Sequence, residues 1–174
     1  MFMFMGVPQA FVVLTAGVAC VHDIRSRRIP NYVTFSSSLL AVAYGVVVGG
    51  WMGLAAAVGG WSLGIALFLP FFLLRGMGAG DVKLMSALGA WTGPASLISL
   101  TFYTAISGGI MALCLVVWRR QLAATLRNLW LLLCHFRIAG LKPMAELSLE
   151  NKKALSLPYG LPITAGAILT LWLH

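Results

Sequence analysis

Two aspartates are the residues of this chain whose type and placement could do chemistry. Asp23 and Asp81 are its only aspartates, in a sequence of 174 residues with 12 Lys and Arg but only 4 Asp and Glu. Asp23 follows one long apolar stretch and Asp81 precedes another. Two carboxylates a few ångströms apart share a proton, so that one can take a proton from water while the other polarises a peptide carbonyl. This pattern indicates an aspartic dyad, which requires no metal and no cofactor.

The residues around Asp81 admit more than one interpretation. Asp81 lies in the segment Gly76-Met-Gly78-Ala-Gly80-Asp81-Val-Lys83, whose alternating glycines allow positive φ angles or a close approach of another segment. Its carboxylate could simply cap the helix that begins there. Lys83 could interact with the dyad and keep one aspartate ionised, or extend to the lipid headgroups.

The composition excludes a soluble globular protein, because 60% of the residues are hydrophobic and 9% are charged, against roughly 25% charged in a soluble domain. In so apolar a chain, the net charge of +8 indicates basic segments flanking membrane helices, and nucleic acid is not an expected partner. Three widely spaced cysteines form no C-x-x-C pair, which argues against a zinc cluster or a disulfide framework.

Apolar stretches predict an all-α polytopic membrane protein, a single domain over residues 1–174 with about six spans. A span needs about 20 apolar residues, so the long stretch 82–117 is divided at Gly93-Pro94. Met1 to Gly6 carries no Lys or Arg, so the first span is expected to be retained. Leucines at helical spacing predict an interfacial helix on the cytoplasmic side at about 120–138, followed by a solvated loop. The predicted spans are 4–22, 32–48, 53–74, 82–92, 95–117 and 157–173.

The basic residues support this topology. Six spans place all twelve Lys and Arg in the loops 23–31, 75–83 and 118–156, on one face of the membrane, and leave the opposite loops without a positive charge. By the positive-inside rule that face is cytoplasmic. Asp23 and Asp81 are then expected on the same, cytoplasmic, side.

Three segments of the sequence together resemble a known family. Asp23 followed by Arg28-Ile29-Pro30-Asn31, Gly78-x-Gly80-Asp81-Val82-Lys83 after the third span, and Pro158-Tyr159-Gly160-Leu-Pro162 before the last span are similar to the type IV prepilin peptidases. The resemblance implies that Asp23 and Asp81 are catalytic, with Gly78, Gly80 and Lys83 supporting the motif. It also implies cleavage of prepilin or pseudopilin leader peptides just after a glycine, at the cytoplasmic boundary of the bacterial inner membrane.

The chain departs from the larger family members, which add a cytoplasmic loop with paired C-x-x-C motifs and an N-methyltransferase activity. Here the loop after the first span has about nine residues and no cysteine, which makes methylation by this chain doubtful. The short form is most similar to the peptidases of tight-adherence (Flp-type) pilus systems.

Two other functions fit the composition. A small proton- or ion-coupled transporter could use the same aspartates as charge carriers, although such residues usually lie near the midplane and accompany inverted repeats. A non-catalytic membrane assembly factor would need neither aspartate.

Overall fold

The structure is a computed structural model that describes residues 6–74, 76–119 and 159–173. Most of these residues are helical. These residues form no β-strand, which confirms the predicted all-α class for this part, whereas the number of spans stays a prediction. The predicted interfacial helix 120–138 and the loop after it lie outside the described residues. The helices are α1 (Val7–Ser26), α2 (Asn31–Leu73), α3 (Ala79–Trp118) and α4 (Gly160–Leu173).

Helices α1, α2 and α3 are each long and apolar enough to cross a membrane, as expected for a membrane protein. Helix α4 is equally apolar but has 14 residues. The chain therefore contains three long hydrophobic elements and one short one among its described residues.

Two glycines interrupt the longest helices. Gly50 in α2 has φ 55° and ψ −134°, and Gly93 in α3 has φ 75° and ψ 171°, conformations that glycine adopts without steric strain. The chain folds back at Gly50, because Ala57 Cβ lies 3.5 Å from a Cβ built on Gly45, whereas a straight helix would separate these residues by about 18 Å. Both interruptions lie where the sequence predicts a break.

The first half of α3 lies at the centre of the helix arrangement. Residues 84–91 are all buried, and eight consecutive positions cover the full circumference of a helix. Helices α1, α2 and α4 all contact α3. Asp81, at the start of this helix, is therefore held at the end of the best-packed element.

The helix boundaries differ from the predicted spans near both aspartates. Helix α1 continues through Asp23 to Ser26, so that Asp23 belongs to its last turns and not to the loop predicted from residue 23. The helix ends where Arg27 adopts a left-handed conformation and donates its N–H to the Asp23 carbonyl at 2.8 Å. The sequence predicts that the polar side chains within residues 23–26 end the helix. These side chains end only the apolar span, because the backbone hydrogen bonds of the helix continue to Ser26.

The starts of the other helices also differ from the predicted spans, by one to three residues. Helix α2 begins at Asn31, directly after Pro30, and α3 begins at Ala79, three residues before the predicted span. Helix α4 begins at Gly160 and not at residue 157. Asp81 is consequently the third residue of α3, and Gly78 is the residue that caps the helix.

Glycines allow α2 and α3 to pack with their backbones in contact. A Cβ on Gly60 would collide with the Gly89 carbonyl, and a Cβ on Gly64 would lie 2.6 Å from the Ser86 Cα. Small residues that permit such close approach are a general feature of helix packing in membranes. The α2–α3 contact therefore depends on these two positions having no side chain.

We predict that Gly60→Ala destabilises the protein, because the new methyl group must separate α2 from α3. Overpacking of this kind costs about 1–3 kcal/mol, and thermal unfolding in detergent, followed by tryptophan fluorescence, should show a lower Tm. The adjacent Gly59 provides the control, since its nearest neighbour, Pro94 Cγ, is 4.0 Å from a built Cβ. Equal Tm values for Gly60→Ala and Gly59→Ala would contradict the packing argument.

Candidate active site

Asp23 is buried at the junction of α1 and α4. Its side chain is 8% exposed, and its Oδ2 accepts a hydrogen bond of 2.8 Å from the backbone N–H of Gly160, the first residue of α4. The first N–H groups of a helix have no partner within the helix, so Asp23 satisfies one of them. The positive end of the α4 dipole also favours a carboxylate at this position.

Gly160 is required for this contact by its lack of a side chain. A Cβ on Gly160 would lie 3.0 Å from both Cβ and Oδ2 of Asp23, and 3.2 Å from the Cα of Cys20. The sequence contained Gly160 within a recognised motif but gave no role for it. Its role in the structure is to bring the N-terminus of α4 against α1.

Asp81 is held at the start of α3 in a similar way. Its Oδ2 accepts a hydrogen bond of 3.3 Å from the backbone N–H of Gly78, and its side chain is also 8% exposed. A carboxylate in the first turn of a helix interacts favourably with the helix dipole. Asp81 thus caps the start of α3, which was one of the two interpretations of the sequence. The hydrogen bond from Gly78 orients its buried carboxylate.

The structure brings the two aspartates together. Asp23 comes from α1 and Asp81 from α3, yet they lie near enough for the charge of one carboxylate to act on the other. Tyr159 lies near Asp81: burial, and then the charge of Asp81, raise the pKa of its phenol above the ordinary value. Tyr159 therefore remains a neutral hydroxyl near Asp81.

The segment after Asp23 packs directly on the glycine motif. A Cβ on Gly80 would lie 3.1 Å from the Cβ of Ile29, in the loop between α1 and α2. Lys83 Nζ donates a hydrogen bond of 2.9 Å to Oδ1 of Asn31. The two sequence motifs are therefore in contact at two points, which fixes the start of α3 relative to the end of α1.

Lys83 bonds to Asn31 and not to the aspartates, and its extension to the lipid headgroups stays a prediction. Its hydrogen bond is to an amide oxygen, not to the aspartates, and its side chain is exposed. Lys83 is two residues from Asp81, so the two side chains leave α3 on nearly opposite sides, about 200° apart. Asn31, the last residue of the motif that follows Asp23, is its partner.

His22, which directly precedes Asp23, pairs with a residue away from the carboxylates. His22 Nε2 pairs with the Tyr32 hydroxyl at 3.3 Å on an exposed surface. Within the described ranges, no three His, Cys, Asp or Glu side chains are arranged to hold a metal ion. The chemistry available to the described site is that of two carboxylates, a phenol and backbone N–H groups.

Comparison with known proteins identifies relatives of this chain. A family model described as the type IV leader peptidase family matches residues 10–113, more than half of the chain. The chain is 31% identical over 109 residues to a prepilin leader peptidase/N-methyltransferase from Pectobacterium carotovorum subsp. carotovorum. The match covers 59% of this chain and 38% of that relative, so the chain corresponds to well under half of the relative's length. No solved structure matches the chain.

We predict that Gly160→Ala separates α4 from α1 and exposes Cys20, which is buried beneath Gly160. In a background with Cys114→Ser and Cys134→Ser, the rate of Cys20 labelling by a maleimide in detergent should rise severalfold. Gly17→Ala in α1 is the control, because a Cβ there meets nothing within 4 Å. Unchanged Cys20 labelling in Gly160→Ala would show that α4 does not depend on this contact.

Proposed function

Because the chain belongs to the type IV leader peptidase family, we propose that it is an aspartic endopeptidase that cleaves prepilin leader peptides with Asp23 and Asp81. The observation that carries the proposal is the placement of these two buried carboxylates on different helices, near enough for their charges to interact. They are the only aspartates of the chain. Buried ionisable groups in membrane proteins are costly and generally serve a function.

The proposed reaction begins with one proton shared by the pair, because two adjacent buried carboxylates do not both carry a full negative charge. The ionised carboxylate takes a proton from a water molecule, whose oxygen attacks the carbonyl carbon of the scissile peptide bond. The protonated carboxyl group donates its proton toward the carbonyl oxygen. The carboxyl group formed by the first step then protonates the leaving amine as the tetrahedral intermediate collapses, and the proton on the former carbonyl oxygen returns to the other carboxylate, which restores the shared proton.

Backbone donors keep the two carboxylates in position for this exchange. Gly160 N–H binds one oxygen of Asp23, and Gly78 N–H binds one oxygen of Asp81. In each case the second carboxylate oxygen can face water or substrate. Gly78 and Gly80 thus act as positioning residues, and Lys83 contributes through its hydrogen bond to Asn31.

The proposed membrane arrangement has six spans in a single peptidase domain. The interruptions at Gly50 and Gly93 divide α2 and α3 into two spans each, and α1 and α4 supply the other two. With the basic loops on the cytoplasmic side, Asp23 and Asp81 lie at the cytoplasmic boundary of the bacterial inner membrane. The charged leader of the substrate would remain in the cytoplasm while its apolar stem lies in the membrane, and cleavage would follow a glycine.

The proposal is limited to the peptidase reaction. The relative is described as a leader peptidase and an N-methyltransferase, but the alignment spans only 38% of the relative's length. The short loop after α1 in this chain contains no cysteine. The family match does not favour the ion-coupled transporter considered from the sequence.

We predict that Asp23→Asn and Asp81→Asn each reduce prepilin cleavage at least about 100-fold, because an amide cannot transfer the proton. Each variant is co-expressed with a prepilin that has glycine before the cleavage site, and the cleaved fraction is measured on gels after membrane insertion is verified. Glu150→Gln makes the same exchange of carboxylate for amide outside the motifs and should cleave normally. Cleavage at the parental rate by either inserted aspartate variant would refute the proposed mechanism.

A second prediction concerns the orientation of the spans. In a chain without its native cysteines, Trp51→Cys should react with an impermeant maleimide in intact spheroplasts, because the Gly50 turn faces outward. Arg27→Cys should react only after permeabilisation. Both wild-type side chains are exposed in the structure, so burial does not limit labelling. The reverse pattern would invert the proposed topology.

A further inference from the structure

We infer that this protein binds one anionic phospholipid in a groove between α2 and α3, with the phosphate at Lys83. The groove has a volume of about 770 Å³, within the range of roughly 300–1,000 Å³ typical of sites for small organic ligands. All its lining residues belong to α2 and α3. Its apolar lining includes Leu39, Val42, Val58, Trp61, Ile65 and Leu69.

The groove lies on the side of α3 that faces away from the aspartates. Ala79, Val82, Lys83 and Ser86 line it, and their spacing of three, four and seven residues defines one helix face. Asp81 is about 200° from Ala79 around the helix. Neither Asp23 nor Asp81 lines the groove, so the proposed catalytic residues do not account for it.

Among the residues that the structure describes, the polar groups of the groove leave one cation, Lys83, for a ligand. The hydroxyls of Thr34, Ser38 and Ser86 each donate a hydrogen bond to a carbonyl of their own helix, at 3.2, 2.8 and 2.8 Å. Lys83 donates to the neutral amide oxygen of Asn31, which leaves its positive charge uncompensated by that contact. The groove thus combines an apolar trough with one ammonium group at an end.

This combination matches the chemistry of an anionic phospholipid. An acyl chain gains little by leaving the bilayer for an apolar groove, because lipid tails are as apolar as the lining side chains. Selectivity must therefore come from the headgroup, and a Lys near the membrane surface attracts anionic lipid. A phosphate at Lys83 would accept a hydrogen bond from an ammonium group that still has two donors free of Asn31.

Quenching of Trp61 by brominated lipid tests this inference. Trp61 is 40% exposed and lines the groove. The protein in detergent is titrated with phosphatidylglycerol or phosphatidylcholine that carries bromine on its acyl chains, and the Trp61 signal is the difference between the parent and Trp61→Phe. We expect phosphatidylglycerol to half-saturate the quenching at an approximately fivefold lower mole fraction than phosphatidylcholine.

Charge variants separate the groove from general attraction to anionic lipid. Lys83→Met should abolish the preference for phosphatidylglycerol, and Lys83→Arg should retain it. Arg25→Met, which removes an exposed cation outside the groove, should leave the preference unchanged. Equal quenching by both lipids in the parent, or loss of the preference in Arg25→Met with retention in Lys83→Met, would overturn the inference.

Two further measurements address occupancy of the groove. Val58→Phe should reduce Trp61 quenching by both lipids, because the added ring fills the trough, and undiminished quenching would contradict acyl-chain binding there. If a peptide carrying a prepilin's apolar stem displaces the brominated lipid, the groove is a substrate site and the inference is wrong. None of these measurements requires cleavage, so their outcome is independent of the proposed peptidase activity.

Discussion

Each buried carboxylate of the candidate site rests on the first turn of a helix, and this arrangement constrains the rest of the structure. Gly160 donates its N–H to Asp23 at the start of α4, and Gly78 donates to Asp81 at the start of α3. A buried carboxylate without a hydrogen-bond partner would cost much free energy, so each helix start must be positioned accurately against its carboxylate. The loop between α1 and α2, the glycine segment before α3 and the start of α4 consequently meet at one place. Tyr159, the residue that precedes α4, lies near the same place.

The positions of these helix starts depend on close helix packing. Between helices in a membrane, packing must come from van der Waals contact and not from a hydrophobic driving force. Gly60 and Gly64 allow α2 to touch the backbone of α3, and Gly160 allows α4 to touch Asp23. Gly80 allows α3 to touch Ile29 in the loop after α1. The glycines near the aspartates and those deeper in the bundle therefore serve one purpose, which is to fix the separation of the helices that carry the site.

Much of this organisation was predictable from the sequence, because it is encoded locally. The scarcity of acids singled out Asp23 and Asp81, and the glycines at 50 and 93 lie at the predicted breaks. The contact between Gly160 and Asp23 was not predictable, since it joins residues 137 positions apart and no local pattern encodes such a pairing. The partner of Lys83 was missed for the same reason. The end of α1 was placed too early because hydropathy locates the apolar span, whereas backbone hydrogen bonds determine where the helix stops.

The helical segment that carries Asp81 is short, and this has a consequence for the surrounding lipid. Residues 79–92 of α3, up to the interruption at Gly93, extend for about 21 Å, whereas the hydrocarbon core of a bilayer is about 30 Å thick. Where such a segment spans a bilayer, the hydrophobic mismatch is relieved by local thinning of the bilayer or by tilt. Thinning beside this part of α3 would draw the water interface toward Asp81, without an aqueous channel through the protein. The access of water to the proposed site would then depend on the thickness and elasticity of the host membrane as much as on the residues of the site.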